Sequence, residues 1–328
     1  MDFIELNRLS SGFILSRIIQ VAVTTGIFDK IEAPGTTSEE VASCINTSPR
    51  ATELFLNALV AIRLLSKESG KYFNTAISRT YLVKNSPKYF GGMIVFEHNL
   101  WDMWGKLEES VRTGKPSRKP DMFQNTEDET EKFILAMHSL VKARGDAEVV
   151  SHLLDLGWAN SLIDIGSGPG TYPIEFIKKY PQLAITIFDL PGTLRVTRKV
   201  LEEEHKIGQI SLFEGDYRKT KIPDGFDVAF LSNIIHSEDE TTNQDLMKNI
   251  YEGLNTGGLL VIKDHILNED LTSPAVGAIF SITMLLATNG RDYSFKEVSR
   301  WLEKAGFKYI EWKQLSNTLE SSLITARK

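Results

Sequence analysis

The sequence predicts an α/β protein in which a parallel, doubly wound sheet follows a small helical domain. Three observations predict it. From about residue 160, short apolar strands alternate with amphipathic helices. A glycine-rich turn, Gly166-Ser167-Gly168-Pro169-Gly170, follows the first of those strands. Before about residue 95 the chain reads instead as short helices and one hairpin, the outline of a winged helix. The expected domains are residues 1–95 and 96–328, the second a helical segment leading into an α/β core from about residue 156.

In the first domain, Phe13, Ile14, Ile18 and Val21 recur at helical spacing. Thr37 and Glu40 form a capping box opening a helix through Val41, and on it Cys44, flanked by apolar residues, is expected to be buried and inert. Ser48-Pro49 opens a helix through Leu54, Leu56, Leu59 and Ile62. Leu64–Ser66 and Lys71–Phe73 read as strands around a Lys67–Gly70 turn. Residues 98–155 read as helical with a break near Gly114–Pro120, and one helix is expected over Glu131–Leu154. Strands are then expected at Ser161–Ile165, Ala184–Phe188, Ile210–Glu214, Val228–Leu231, Leu259–Lys263, Lys308–Trp312 and Ser322–Ala326. Helices are expected at Tyr172–Lys179, Thr193–His205 and Asn243–Leu254, the last followed by an Asn255–Gly258 turn. Ser294 and Glu297 form a second capping box before a helix ending at Gly306.

The chain has 328 residues, long enough for two domains, and its 42% hydrophobic and 24% charged residues suit a soluble globular protein. The formal net charge of -6 argues against a nucleic-acid partner, which needs clustered Lys and Arg. Residues 1–100 hold 10 Lys+Arg against 9 Asp+Glu, so the winged-helix outline has no basic face for DNA. A single cysteine excludes an internal disulfide and cysteine-rich zinc sites. No signal peptide or membrane-length apolar run is evident, so no membrane partner and a cytoplasmic location are expected.

In doubly wound sheets, ligands sit outside the carboxyl ends of the strands. The residues there are Asp164 to Gly170, Asp189 with Leu190, Asp216-Tyr217, Ser232 to His236, and Asp264. Gly166, Gly168 and Gly170 let the backbone approach a ligand closely. Their G-x-G-x-G spacing departs from the dinucleotide G-x-G-x-x-G, which disfavours a nicotinamide dehydrogenase and suits S-adenosylmethionine (SAM), a cofactor without a pyrophosphate. Asp189 can accept ribose hydroxyls, and Asp216-Tyr217 can take an adenine amine and cover its ring. Any one acid could be a solvated loop residue, but three at consecutive strand ends beside a glycine loop favour a nucleoside site. His236 could be a general base for a hydroxyl acceptor, or a surface histidine in a polar loop; position alone does not decide.

FDLPGT at 188–193, EGDYRKT at 214–220, LSNIIHSEDE at 231–240 and GGLLVIKDHILNED at 257–270 resemble the plant caffeic acid and acetylserotonin O-methyltransferase family, and its bacterial members more. TTGIFDKIEAPGTTSEEVA at 24–42 is similar to the family's N-terminal dimerisation domain. The implied fold is therefore a Rossmann-like SAM-methyltransferase sheet with a winged-helix-like dimerisation domain, working as a homodimer. The resemblance implies His236 as general base, flanked and oriented by Asp264 and Asp292, where many relatives carry Glu. It implies SAM contacts from Asp164, Gly166, Gly168, Gly170, Asp189, Leu190, Asp216, Tyr217 and Ser232; at Ser232 plant members often have a Lys. Phe133, Met137 and Met284 match positions that line the substrate pocket, with core packing the alternative role. The expected reaction is methyl transfer to a phenolic or enolic hydroxyl of a small molecule, with no metal needed. Transfer to sulfur or nitrogen is the alternative, and a SAM-binding protein without catalysis is a further one.

Overall fold

A computed structural model describes residues 1–315 and 321–328. Among the described residues the chain forms two compact units: Met1–Trp101 with Leu135–Ala143, and Asp102–Ile134 with Arg144–Lys328.

The first unit opens with helices Phe3–Ser10 and Gly12–Thr24, followed by Ser38–Ile45 and Pro49–Ala61. Thr37 and Glu40 close a reciprocal capping box at the third helix, and Pro49 occupies the first turn of the fourth. Strands β1 (Leu65–Glu68) and β2 (Lys71–Asn74) pair antiparallel. Ser69 and Gly70 connect them with φ of 49° and 77°, the two left-handed residues that a tight right-twisted hairpin requires. Ala22, Phe28, Val41, Leu56, Leu59 and Tyr72 form the core.

The helix through Phe13, Ile14, Ile18 and Val21 is present; Phe13 and Ile14 are exposed on it, and its buried residues lie at the far end, at Gln20, Ala22 and Val23. One expectation changes here. Cys44 is exposed, not buried. The inward stripe of its short helix runs through Ser38, Val41, Ala42 and the half-buried Ile45, at i, i+3, i+4 and i+7, and Cys44 falls off it.

The second unit is built on a seven-stranded sheet. Its strands are β3 (Ser161–Ile165), β4 (Ala184–Asp189), β5 (Ile210–Glu214), β6 (Phe226–Ser232), β7 (Leu254–Asp264), β10 (Lys308–Gln314) and β11 (Ser322–Arg327), in the order β10-β11-β7-β6-β3-β4-β5. Strands β3 to β7 pair in parallel, but β11 runs antiparallel to both β7 and β10, so the sheet is mixed rather than wholly parallel. Two short strands, β8 (Ile266–Leu267) and β9 (Tyr293–Ser294), form a separate parallel ladder.

Side chains alternate across β6. Phe230 packs on Tyr172 and Phe176 of helix Thr171–Lys179. Ala229 and Leu231 join Leu246, Met247 and Ile250 of helix Glu240–Gly253 and Trp301 of helix Phe295–Ala305. The expected Asn255–Gly258 turn lies inside β7, where the β6 register shifts between Phe226 and Val228. The expected Glu131–Leu154 helix is two helices, Glu127–Arg144 and Asp146–Leu153, broken where Gly145 takes φ 73°. Helix Ala275–Ala287, which the periodicity did not suggest, follows β8.

Candidate active site

The carboxyl ends of β3 to β7 carry the candidate residues, and the glycine loop is the anchor. Gly166, Gly168 and Gly170 have φ of 69°, 61° and 78°, a conformation that disfavours any side chain. A Cβ at position 166 would also lie 2.3 Å from Ile234 Cδ1 and 3.8 Å from the Tyr217 ring. The loop thus sits directly beside the segment after β6. Ile134, from helix Glu127–Arg144, lies over Gly168.

Two carboxylates support the loop. Asp164 is buried; its Oδ2 accepts from the Ser167 hydroxyl at 2.6 Å, while Oδ1 has no partner among the described residues. Burial pushes its carboxyl up to about 7, against the Ser167 bond and with help from the charge of Asp189. Asp189 Oδ2 accepts from Gly168 N–H at 2.8 Å, and Oδ1 from Leu190 N–H at 2.7 Å. Burial raises it to about 6 despite those bonds. Leu190 caps helix Pro191–Glu203, so Asp189 locks the helix start to the loop.

Asp216 is held by its neighbour: Arg218 Nε and Nη2 reach its two oxygens at 2.8 and 3.0 Å. Its carboxylate is therefore already engaged, which the sequence did not suggest. Tyr217 donates its hydroxyl to Glu238 Oε1 at 2.7 Å and stands against the loop at Gly166. Ser232 ends β6 in register with Lys263, whose buried ammonium donates to Asp146 Oδ2 at 3.1 Å.

After β6 the chain makes a left-handed turn at Asn233, φ 57°, into a 3-10 turn at Ile235–Ser237. This turn buries His236. Its Nδ1 lies 2.6 Å from Oδ1 of Asp264, the fully buried last residue of β7. Burial opposes protonation of the ring. The charge and hydrogen bond of Asp264 outweigh that, with help from Asp292, so the imidazole is held above its ordinary value. The His236 group holds the Asp264 carboxyl below its ordinary range although burial pushes the other way. With Nδ1 facing the carboxylate, the proton is assigned there and Nε2 is left as an acceptor.

Asp292 lies beside the pair, one of its oxygens within 4.8 Å of a His236 ring nitrogen. It does not hydrogen-bond His236 among the described residues. Its Oδ2 accepts from Ser281 Oγ at 3.1 Å, and its Oδ1 lies 3.3 Å from Nδ1 of His265. The β8–β9 ladder sets this pairing, since Ile266 is opposite Tyr293 and the preceding residues of each strand are His265 and Asp292. The His236 and His265 rings lie nearly parallel with centroids 6.2 Å apart, and Phe280 meets both edge-on at 5.0 and 5.1 Å.

The three apolar candidates scatter. Phe133 stacks on Phe123 at 4.6 Å. Met284 is buried on helix Ala275–Ala287, the helix that carries Phe280. Met137 belongs to Leu135–Ala143, the segment grouped with the first unit. Sequence reasoning missed Glu238 and His265. Glu238 had only its place in the acidic run after His236 to mark it. His265 was marked by its position next to Asp264.

A glycine cradle, a strand-end acid joined to it, a buried acid with one free oxygen and a neighbouring tyrosine suit a cationic nucleoside, and they define a SAM-binding α/β methyltransferase. The family model for the O-methyltransferase domain matches residues 104–308, and the model for the O-methyltransferase dimerisation domain matches residues 7–84. The chain belongs to this family and is a SAM-dependent O-methyltransferase. It is 30% identical to 3-hydroxy-5-methyl-1-naphthoate 3-O-methyltransferase of Streptomyces sahachiroi, over 92% of this chain and 88% of that protein. It is 28% identical to acetylserotonin O-methyltransferase of Gallus gallus, over 96% and 95%. Among solved structures, human N-acetylserotonin methyltransferase in complex with SAM matches with a TM-score of 0.89 at 27% identity, covering 100% of this chain and 98% of that one. No helix among the described residues is long and apolar enough to cross a membrane.

Proposed function

We propose that the chain methylates a phenolic or enolic hydroxyl of a small molecule, with His236 as general base. The observation that carries this is the buried His236–Asp264 pair at 2.6 Å, on the same short segment whose Ile234 abuts the glycine loop. Asp264 fixes the Nδ1–H tautomer, which leaves Nε2 to take the acceptor's proton. A phenol, with pKa near ~10, is mostly protonated at neutral pH and gains from that base.

Gly166, Gly168, Gly170, Asp164, Asp189 and Tyr217 would hold SAM, whose sulfonium supplies an activated methyl group. Asp189, once its own backbone donors yield, can accept ribose hydroxyls, and the free Asp164 oxygen can face the ligand's positive charge. Leu190 and Ser232 are at the ends of β4 and β6, the two strands that flank β3. Asp216 would contribute once released from Arg218. Phe133 and Met284 are retained as acceptor-lining candidates on the helices that approach Gly168 and His236. Met137 remains a candidate from the resemblance alone. The first unit would join two copies.

The test is methyl transfer from labelled SAM to a panel of phenols, enols, thiols and amines, with products identified by mass spectrometry. His236→Ala should lower kcat by about 10²–10⁴-fold while S-adenosylhomocysteine binds as in the wild type. Full activity in that variant would remove His236 from the base role. Transfer to sulfur or nitrogen would replace the acceptor assignment.

A further inference from the structure

We propose that His236, Asp264, His265 and Asp292 form a binding site for a zinc-type divalent cation, and that filling it switches the base off. Each residue offers one ligand atom, and the four atoms all lie within 4.8 Å of one another. They come from three places in the chain: the turn after β6, the end of β7 and the residue before β9.

The hydrogen-bond accounting suits a cation site. Asp264 Oδ2, Asp292 Oδ1 and His265 Nδ1 are all buried and make no hydrogen bond among the described residues. The last two are 3.3 Å apart, close enough for attraction but too poorly aligned for a bond. Leaving such atoms unsatisfied is costly, and all three belong to this one group of four residues. Charge says the same. Both aspartates are fully buried. Neutralising both without a metal takes two protonated histidines, His236 and His265, whereas one divalent ion would do it alone.

The donor set selects the ion. Two imidazole nitrogens and two carboxylate oxygens suit a borderline cation such as Zn²⁺, bound at about 2.0–2.2 Å in a tetrahedron with edges near ~3.3 Å. The 3.3 Å spacing of His265–Asp292 matches that edge, while the 2.6 Å hydrogen bond of His236–Asp264 would have to lengthen as the ion replaces its proton. Phe280, against both ring edges, holds the imidazoles nearly parallel.

The consequence for the base follows from proton counting. Nδ1 of His236 must give its lone pair to the metal, so the proton it carries moves to Nε2 in the neutral ring, or is lost to solvent from the imidazolium. In either case Nε2 then bears a proton and has no lone pair for the acceptor. Occupancy and general-base catalysis are therefore mutually exclusive at His236.

The experiment uses the full chain, stripped with chelator and titrated with Zn²⁺ by calorimetry and with Co²⁺ by visible absorption. One equivalent should bind, with the intense bands of tetrahedral cobalt. His265→Gln and Asp292→Asn should each weaken binding by more than about tenfold, with wild-type circular dichroism and S-adenosylhomocysteine affinity reporting an intact fold. Zn²⁺ should also abolish methyl transfer by the wild type, and chelator should restore it. Absence of saturable binding below about millimolar would overturn the proposal, as would equal binding by both variants. The binding readout needs no turnover, so it stands or falls separately from the acceptor assignment.

Discussion

At the scale of single residues, the His236–Asp264 pair sets how activity should depend on pH. A base must be unprotonated, so wild-type kcat/KM rises with pH through the raised value of His236. Asp264→Asn removes the charge and leaves the burial, so the imidazole should fall below its ordinary value. The acidic limb should then move to lower pH while the plateau drops by about 10²–10⁴-fold, because nothing holds the productive tautomer. A pH–rate profile in chelator, for both proteins, measures this; an unmoved limb would assign it to another group. The same pair makes a stability claim with a definite sign. His236 is raised, so its share is fully present below about pH 6.5 and lost as pH climbs through the folded value. Asp264 is lowered, so its share is present above about pH 4 and lost as pH falls through the folded value. Urea denaturation should therefore show the largest deficit of the Asn variant between about pH 4 and 6.5.

At the scale of elements, the site depends on a turn that is held from outside. A Cβ at Gly290 would lie 2.2 Å from the His236 carbonyl oxygen and 2.6 Å from the Glu238 nitrogen. Both are backbone atoms that cannot rotate away, so Gly290→Ala must displace the turn carrying His236. A shift near ~1 Å should cost about 10²-fold in kcat, and the overpacking about 1–3 kcal/mol of stability. Single-turnover rates and thermal unfolding would show it; a variant with wild-type turnover would mean the turn does not set the base's position. These elements also show where the sequence was readable. Strands such as Ser161–Ile165 and Ile210–Glu214 stood out because a buried apolar run between polar turns has a local signature. The 290 loop and the two-residue β8–β9 ladder have none, since non-local packing creates them. For that reason the contact of Asp292 with His265 was not legible. The reversed direction of β11 was likewise not legible, because periodicity does not encode strand polarity.

At the scale of the whole molecule, the surface of the first unit calls for a partner. Phe3, Leu6, Leu9, Phe13 and Leu15 are 80%, 56%, 67%, 58% and 52% exposed, all on the first two helices. Apolar side chains scattered singly need no explanation, but these five, with Ile4 and Ile14 making seven within thirteen residues, mark an interaction surface. The dimerisation-domain match begins at residue 7, within this stretch. The core of the unit rests on other residues, among them Ala22, Leu56 and Leu59, so the exposed set can be changed without emptying it. Light scattering after size exclusion should give twice the monomer mass for the wild type at micromolar concentration. Burying a Leu or Phe at an interface contributes up to about 1.5–3 kcal/mol, so Leu9→Asp with Phe13→Asp together removes on the order of 3–6 kcal/mol. Each 1.4 kcal/mol is tenfold in Kd, which weakens association by at least about 100-fold and should leave a folded monomer. A wild type that runs as a monomer, or a double variant that remains dimeric, would move the interface away from these two helices.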